Sequence, residues 1–244
     1  MEVETLKDFV TEDTTSVTFV DIDGDGDDDL VVTTGPGEPS VVYENVDGRF
    51  PDPPTPIGDE TYDAQDVEYV DINNDDIPDL VIGNSDGPDL VYLGTGDPGN
   101  PTWVDDPGDD PLEIPATDGV ATKSIEVEDI DGDGDMDVVI AAEKDGYADV
   151  VVIFNDGTDP NNLPSDKKTV GLPTDDEMAP QDVEMVDVDG DDIPDVVIGN
   201  VGGPDYVYLS NGKELTAEDL EGPPDAQIGD EELSTRDIDV KEIN

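Results

Sequence analysis

Short apolar blocks recur along the chain, among them Leu30-Val31-Val32, Val138-Val139-Ile140 and Val150-Val151-Val152-Ile153, each bounded by Gly, Pro, Asn and Asp. Blocks this short, rich in β-branched Val and closed by turn residues, predict β-strands between tight turns. One stretch read in detail predicts a strand over Gln65 to Val70 leading into an acidic loop and a second over Asp79 to Gly83 leaving it. A third follows a Gly-Pro turn over Asp89 to Leu93, and a weaker fourth falls around Trp103.

The acidic loop recurs. DIDGDGDDDLVV from Asp21, DINNDDIPDLVI from Asp71, DIDGDGDMDVVI from Asp129 and DVDGDDIPDVVI from Asp187 superimpose without gaps, with starts 50, 58 and 58 residues apart. Several short strands per unit at that period predict an all-β repeat fold, a β-propeller of four-stranded antiparallel blades. The expected organisation is one propeller domain over 1–244, with repeats of about 14–63, 64–121, 122–179 and 180–233. Repeats two and four share IPD(L/V)VIGN followed by GPD(L/Y)VYL, so the duplicated unit reads as two blades. The end of the chain, IGDEELSTRDIDVKEIN from Ile228, aligns with IGDETYDAQDVEYVDIN from Ile57. Residues 234–244 are therefore a partial fifth repeat or a ring-closing strand, and two chains completing a larger ring is a further arrangement.

Each loop places oxygen donors at alternate positions. The first offers the side chains of Asp21, Asp23, Asp25 and Asp29 with the main-chain carbonyl of Asp27; the third offers Asp129, Asp131, Asp133 and Asp137 with the carbonyl of Asp135. The second offers Asp71, Asn73, Asp75 and Asp79 with the carbonyl of Ile77, and the fourth Asp187, Asp189, Asp191 and Asp195 with the carbonyl of Ile193. Alternating oxygens on a tight loop converge on one hard cation, and Ca²⁺ accepts six to eight of them with tolerant geometry. About four Ca²⁺ ions, one per repeat, are expected. Without a cation, each like-charge contact at 4 Å costs about 1 kcal/mol even in bulk water. Position 6 calls for a left-handed turn, which Gly26 and Gly134 supply freely and which Asp76 and Asp192 tolerate less well, so loops one and three rank above two and four. Position 12 is Val32, Ile82, Ile140 or Ile198 inside a β-run, which rules out an EF-hand with its bidentate Glu.

The pattern DxDxDGxxDLVV at this spacing resembles the FG-GAP/VCBS repeats of integrin α-subunit-like β-propellers, over residues from about 14 to 210. The resemblance implies a Ca²⁺ loop between the first and second strands of each blade and a role in extracellular adhesion or ligand binding. It carries the family's ligand positions onto the four sets above. The chain departs from the family in having Asp76 and Asp192 where Gly is usual and in lacking clear FG-GAP tetrapeptides.

Charge narrows the partners. The chain of 244 residues carries 68 Asp and Glu against 9 Lys and Arg, a formal net charge of −59. Phosphate backbones and anionic lipid surfaces are repelled, which excludes nucleic-acid binding, and no apolar run is long enough to insert in a membrane. There is no Cys and no His, which removes disulfides, zinc sites and His-based catalysis. The N-terminal MEVETLKDF lacks the basic and apolar regions of a signal peptide. Acidity far beyond what four divalent ions neutralise points to a halophilic source.

The expected role is a non-enzymatic extracellular or cell-surface module with a protein or glycan ligand. A propeller-fold glycan lyase or glycosidase is an alternative, since two carboxylates suffice for glycoside hydrolysis. A structural spacer within a larger surface protein is another.

Overall fold

A computed structural model of the chain describes residues 13–51, 53–97, 100–102, 111–114, 117, 119–144, 147–155, 166–170, 179–191, 193–210, 223–229, 235, 236 and 238. All regular structure among them is β, and none of it is a helix long and apolar enough to cross a membrane. The first sheet runs β1 (Thr14–Val20), β2 (Asp29–Thr34), β3 (Val41–Tyr43), β4 (Thr55–Pro56) in order, all antiparallel. The second is built from β5 (Ala64–Val70), β6 (Asp79–Asn84) and β7 (Leu90–Tyr92). A separate hairpin follows, β8 (Thr95–Asp97) with β9 (Asn100–Thr102), before β10 (Leu112–Glu113) adds the fourth strand beside β7. The fourth strand is thus Leu112–Glu113; Trp103, around which it was expected, lies outside the described residues.

The third sheet is β11 (Ala121–Glu128), β12 (Asp137–Lys144), β13 (Tyr147–Phe154) and β14 (Asp166–Val170). The fourth is β15 (Ala179–Val186), β16 (Asp195–Val201), β17 (Asp205–Tyr208) and β18 (Ala226–Ile228). Each of the four is a propeller-type blade, an antiparallel sheet of four strands in sequence order apart from the inserted hairpin.

The chain divides into two compact units, residues 1–71 with 75–113, and 72–74 with 114–244. In the first unit the core lies between the first and second sheets, where Val31 and Val42 meet Val67, Leu80, Ile82, Leu90 and Tyr92. In the second, Val139, Ala141, Val150 and Val152 of the third sheet meet Val183, Val196, Ile198, Tyr206 and Tyr208 of the fourth. The second strand of a blade is covered on both faces, which is why β2 and β6 are buried along their whole length and carry Leu30-Val31-Val32 and Leu80-Val81-Ile82 with no alternation.

Two local devices set the register. The first strand of each four-stranded sheet carries an irregularity near its start, between Thr14 and Val17, Ala64 and Asp66, Thr122 and Ser124, and Pro180 and Asp182. The turn between second and third strands is closed by side chains. Asn84 Nδ2 donates to the Pro88 carbonyl at 2.7 Å while its backbone amide donates to buried Asp89 at 2.6 Å. Asn200, Pro204 and Asp205 repeat the arrangement at 2.9 Å for both bonds, and Thr34 Oγ1 donates to the Glu38 carbonyl in the first sheet. The shared GN-x-x-GPD spelling of repeats two and four is this turn.

Candidate metal centres

Each acidic loop joins the first and second strands of a blade and is folded by its own carboxylates. Position 1 caps the turn: Asp21 accepts from Gly26 N, Asp71 from Asp75 N and Asp76 N, Asp129 from Gly132 N and Gly134 N, and Asp187 from Gly190 N and Asp191 N. Carboxylate bonds to amides three to five residues ahead make Asp the residue of choice even before any ion is considered. Positions 4 and 6 are left-handed. Gly24 and Gly26 have φ of 73° and 95°, and Gly132 and Gly134 have 74° and 96°. In the second loop Asn74 at 58° and Asp76 at 68° hold the same conformation without glycine. Asp192, the fourth loop's position 6, lies outside the described residues.

Carboxylate oxygens from positions 1, 3 and 9 converge. Asp21, Asp23 and Asp29 in the first loop, Asp129, Asp131 and Asp137 in the third, and Asp187, Asp189 and Asp195 in the fourth each place one oxygen within 4.8 Å of the other two. Among the described residues, three clusters can therefore hold a metal ion. The second loop has the amide of Asn73 at position 3 and leaves only Asp71 and Asp79 of that trio as carboxylates. Position 5 is not part of the trios. Asp25, Asp75, Asp133 and Asp191 instead accept from the amide of position 7, that is from Asp27, Ile77, Asp135 and Ile193, at 2.9 to 3.1 Å.

The donor set fits a hard cation on one further observation. Asp21 Oδ2 accepts from Gly26, but Asp21 Oδ1 is buried and meets no hydrogen-bond donor. A carboxylate oxygen withdrawn from water without a partner is costly, and a cation beside it removes the cost. Crowding is visible in the acidities as well. Loss of solvation, then the carboxylates of Asp25, Asp29 and Asp21, raise Asp23 above its ordinary range against the Asp25 amide bond. Asp189 is raised in the same way, with Asp191, Asp195 and Asp187 beside it.

Position 9 does more than its spacing revealed. Asp29, Asp79, Asp137 and Asp195 are fully buried. In three of them one oxygen accepts from the amide of loop position 2 (Ile22 to Asp29 at 2.9 Å, Ile130 to Asp137 at 3.1 Å, Val188 to Asp195 at 2.8 Å). The other oxygen accepts from a residue just past the third strand: Asn45, Asn155 or Ser210, and for Asp79 Gly94, at 2.6 to 2.8 Å. This carboxylate pins the metal loop to the exit of the third strand. The four exit residues are Asn, Gly, Asn and Ser and donate through the backbone, so no common side chain marks them; only the Asp that recurs opposite them could have pointed there.

Burial pushes the Asp137 carboxyl up to about 7, with Asp131 and Asp129 adding to the rise and the amides of Asn155 and Ile130 opposing it. The folded state therefore keeps a proton that the unfolded chain releases near 3.8. By linkage, the stability this group contributes to the chelated protein is expected to be full below the lower value and to be lost as pH climbs toward about 7. Thermal melts across that window check it, and Asp137→Asn is expected to flatten the part of the slope that this group contributes.

The FG-GAP-like repeat pattern matches the chain twice, over residues 21–82 and 71–140, each window running from one acidic loop through the strand after the next. Residues 21–140 therefore carry FG-GAP-like repeats. The fourth loop lies beyond the matched windows but repeats the same FG-GAP-like geometry. No curated protein matches the chain. Among solved structures, BBS1N in complex with ARL6DN, soaked with lead, is similar at 12% identity and a TM-score of 0.47, over 85% of this chain and 57% of that one. The V. cholerae biofilm matrix protein Bap1 is similar at 15% identity and a TM-score of 0.41, over 87% of this chain and 38% of that one. The chain thus spans less than two thirds of the length of either.

Proposed function

We propose that this chain is a calcium-stabilised propeller module that binds a protein or glycan ligand outside the cell and performs no catalysis. The observation that carries the reading is the orphaned Asp21 Oδ1 within a trio of carboxylates, with two further trios at equivalent places. Loops built only of oxygen donors suit Ca²⁺, whose larger and more flexible shell tolerates irregular loops that Mg²⁺ does not. A bound ion would neutralise the trio, and the position-9 carboxylate would pass that rigidity to the loop after the third strand. Rigid blades present such loops as a recognition surface.

The surface is also read as adapted to high salt, because three divalent ions would offset only a small part of the net charge of −59. Isothermal titration of chelator-stripped protein with calcium chloride is expected to count at least three sites per chain, with magnesium chloride failing to substitute. A titration without saturable heat rejects the calcium role. A calcium-loaded chain that retains nothing from protein and glycan arrays rejects the binding role.

A further inference from the structure

Among the described residues, positions that are covered inside each unit have exposed counterparts in other repeats. In the second sheet Val67 is buried and Tyr69 partly buried against Ile22, Val31 and Val42 of the first sheet. In the fourth, Val183 and Met185 pack in the same way with Ile130 and Val139 of the third. The residues of β1 that match Val67 and Tyr69 are Val17 and Phe19, and they are 43% and 59% exposed. Loop position 2 shows the converse. Ile22 and Ile130 are buried in those two clusters, whereas Val188 of the fourth sheet is 48% exposed. One end of the repeat series offers the face that receives a neighbouring sheet, and the other offers the residue that covers one.

The seat on the fourth sheet is nevertheless taken, by Thr235 and Ile238. Ile238 N donates to Asp182 Oδ2 at 2.6 Å, as Val183 N donates to Ser124 Oγ at 3.3 Å one sheet earlier, and Asp182 and Ser124 hold equivalent positions. Thr235 N donates to the Asn200 carbonyl at 2.9 Å and Thr235 Oγ1 to Asp205 Oδ2 at 2.8 Å. A Cβ on Gly199 would lie 3.0 Å from Ile238 Cγ1 and 3.1 Å from Thr235 Cγ2. Ile238 aligns with Val67, and therefore with Val17.

We propose that the segment bearing Thr235 and Ile238 is a placeholder, and that β1 of a second copy of this chain takes its seat on the fourth sheet when it leaves. Val17 of the incoming copy replaces Ile238 over Gly199, and Phe19 comes to lie against the fourth sheet. The contact is heterologous, so it builds head-to-tail rings or filaments and not an isologous dimer. Self-repulsion between copies makes it salt-dependent.

Size-exclusion chromatography with light scattering in concentrated salt tests this. Ile238→Asp is expected to raise the mass severalfold with increasing protein concentration, and adding Phe19→Asp to return it to one chain. Because the chain has no cysteine, Ile238→Cys with Gly199→Cys closes a single disulfide that locks the placeholder; oxidised protein is expected to remain monomeric and reduced protein to assemble. The inference is overturned if Ile238→Asp keeps a native circular-dichroism spectrum and stays monomeric, or if its association ignores Phe19→Asp. Should Ile238→Asp fail to fold, the locked variant decides: equal assembly before and after reduction overturns the inference, and assembly only after reduction supports it.

Discussion

Asp137→Ala is expected to destabilise the protein by about 2 to 6 kcal/mol whether or not calcium is present, because it strands two buried backbone donors at roughly 1 to 3 kcal/mol each. Those donors are Ile130 N and Asn155 N, and the carboxylate they share is sealed from solvent. Asp131→Ala in the same trio makes the informative contrast. Asp131 lies in the carboxylate trio and accepts a long bond, 3.3 Å, from Asp133 N in an exposed part of the loop. Urea melts in calcium and in chelator separate the two. Asp137→Ala lowers the midpoint in both, whereas Asp131→Ala lowers it in calcium alone. Equal sensitivity of both variants to chelator would mean that the position-9 carboxylate is only a ligand and that its amide bonds contribute nothing.

Chelation is expected to have the largest effect of any single change of conditions. A site filled at 100 times its dissociation constant adds about 2.7 kcal/mol, so three clusters together add about 8 kcal/mol. Domains as a class are stable by only about 5 to 15 kcal/mol. Calorimetry with and without EDTA at fixed ionic strength should therefore show a fall in Tm on the order of 20 °C, deepened in dilute salt as carboxylate repulsion is unmasked. An unchanged Tm would remove structural calcium from the account.

The strands flanking the acidic loops were legible because two independent signals coincide there, β-branched runs and the side-chain spacing of a tight turn. The blade architecture followed from their recurrence. The third-to-fourth connection of the second repeat was not legible: its fourth strand, Leu112–Glu113, is two residues long and has no apolar block to announce it. At the candidate sites, alternation names positions 1, 3, 5 and 9 alike, whereas the carboxylates that lie within 4.8 Å of one another are those of positions 1, 3 and 9. Asp at positions 3 and 5 obeys the same period of two and accepts the same kind of amide bond, from Asp25 N to Asp23 and from Asp27 N to Asp25, so spacing alone does not rank them. Position 4 was missed as a left-handed site because Asn74 takes there the conformation that Gly24 and Gly132 adopt elsewhere. The pairing of Tyr92 with Glu60, 2.8 Å apart, was invisible for another reason: it joins neighbouring repeats, and a pattern read within one repeat does not contain it.

The hairpin of β8 and β9 carries a consequence for how such chains diversify. It occupies the stretch between the third and fourth strands, downstream of the residue that clasps the acidic loop, and the second repeat is longer than the first where it stands. Extra length admitted there leaves the bond from Gly94 N to Asp79 in place. Decoration can therefore accumulate in that connection without loosening the clasp, which makes it the natural place for foreign peptides to be grafted.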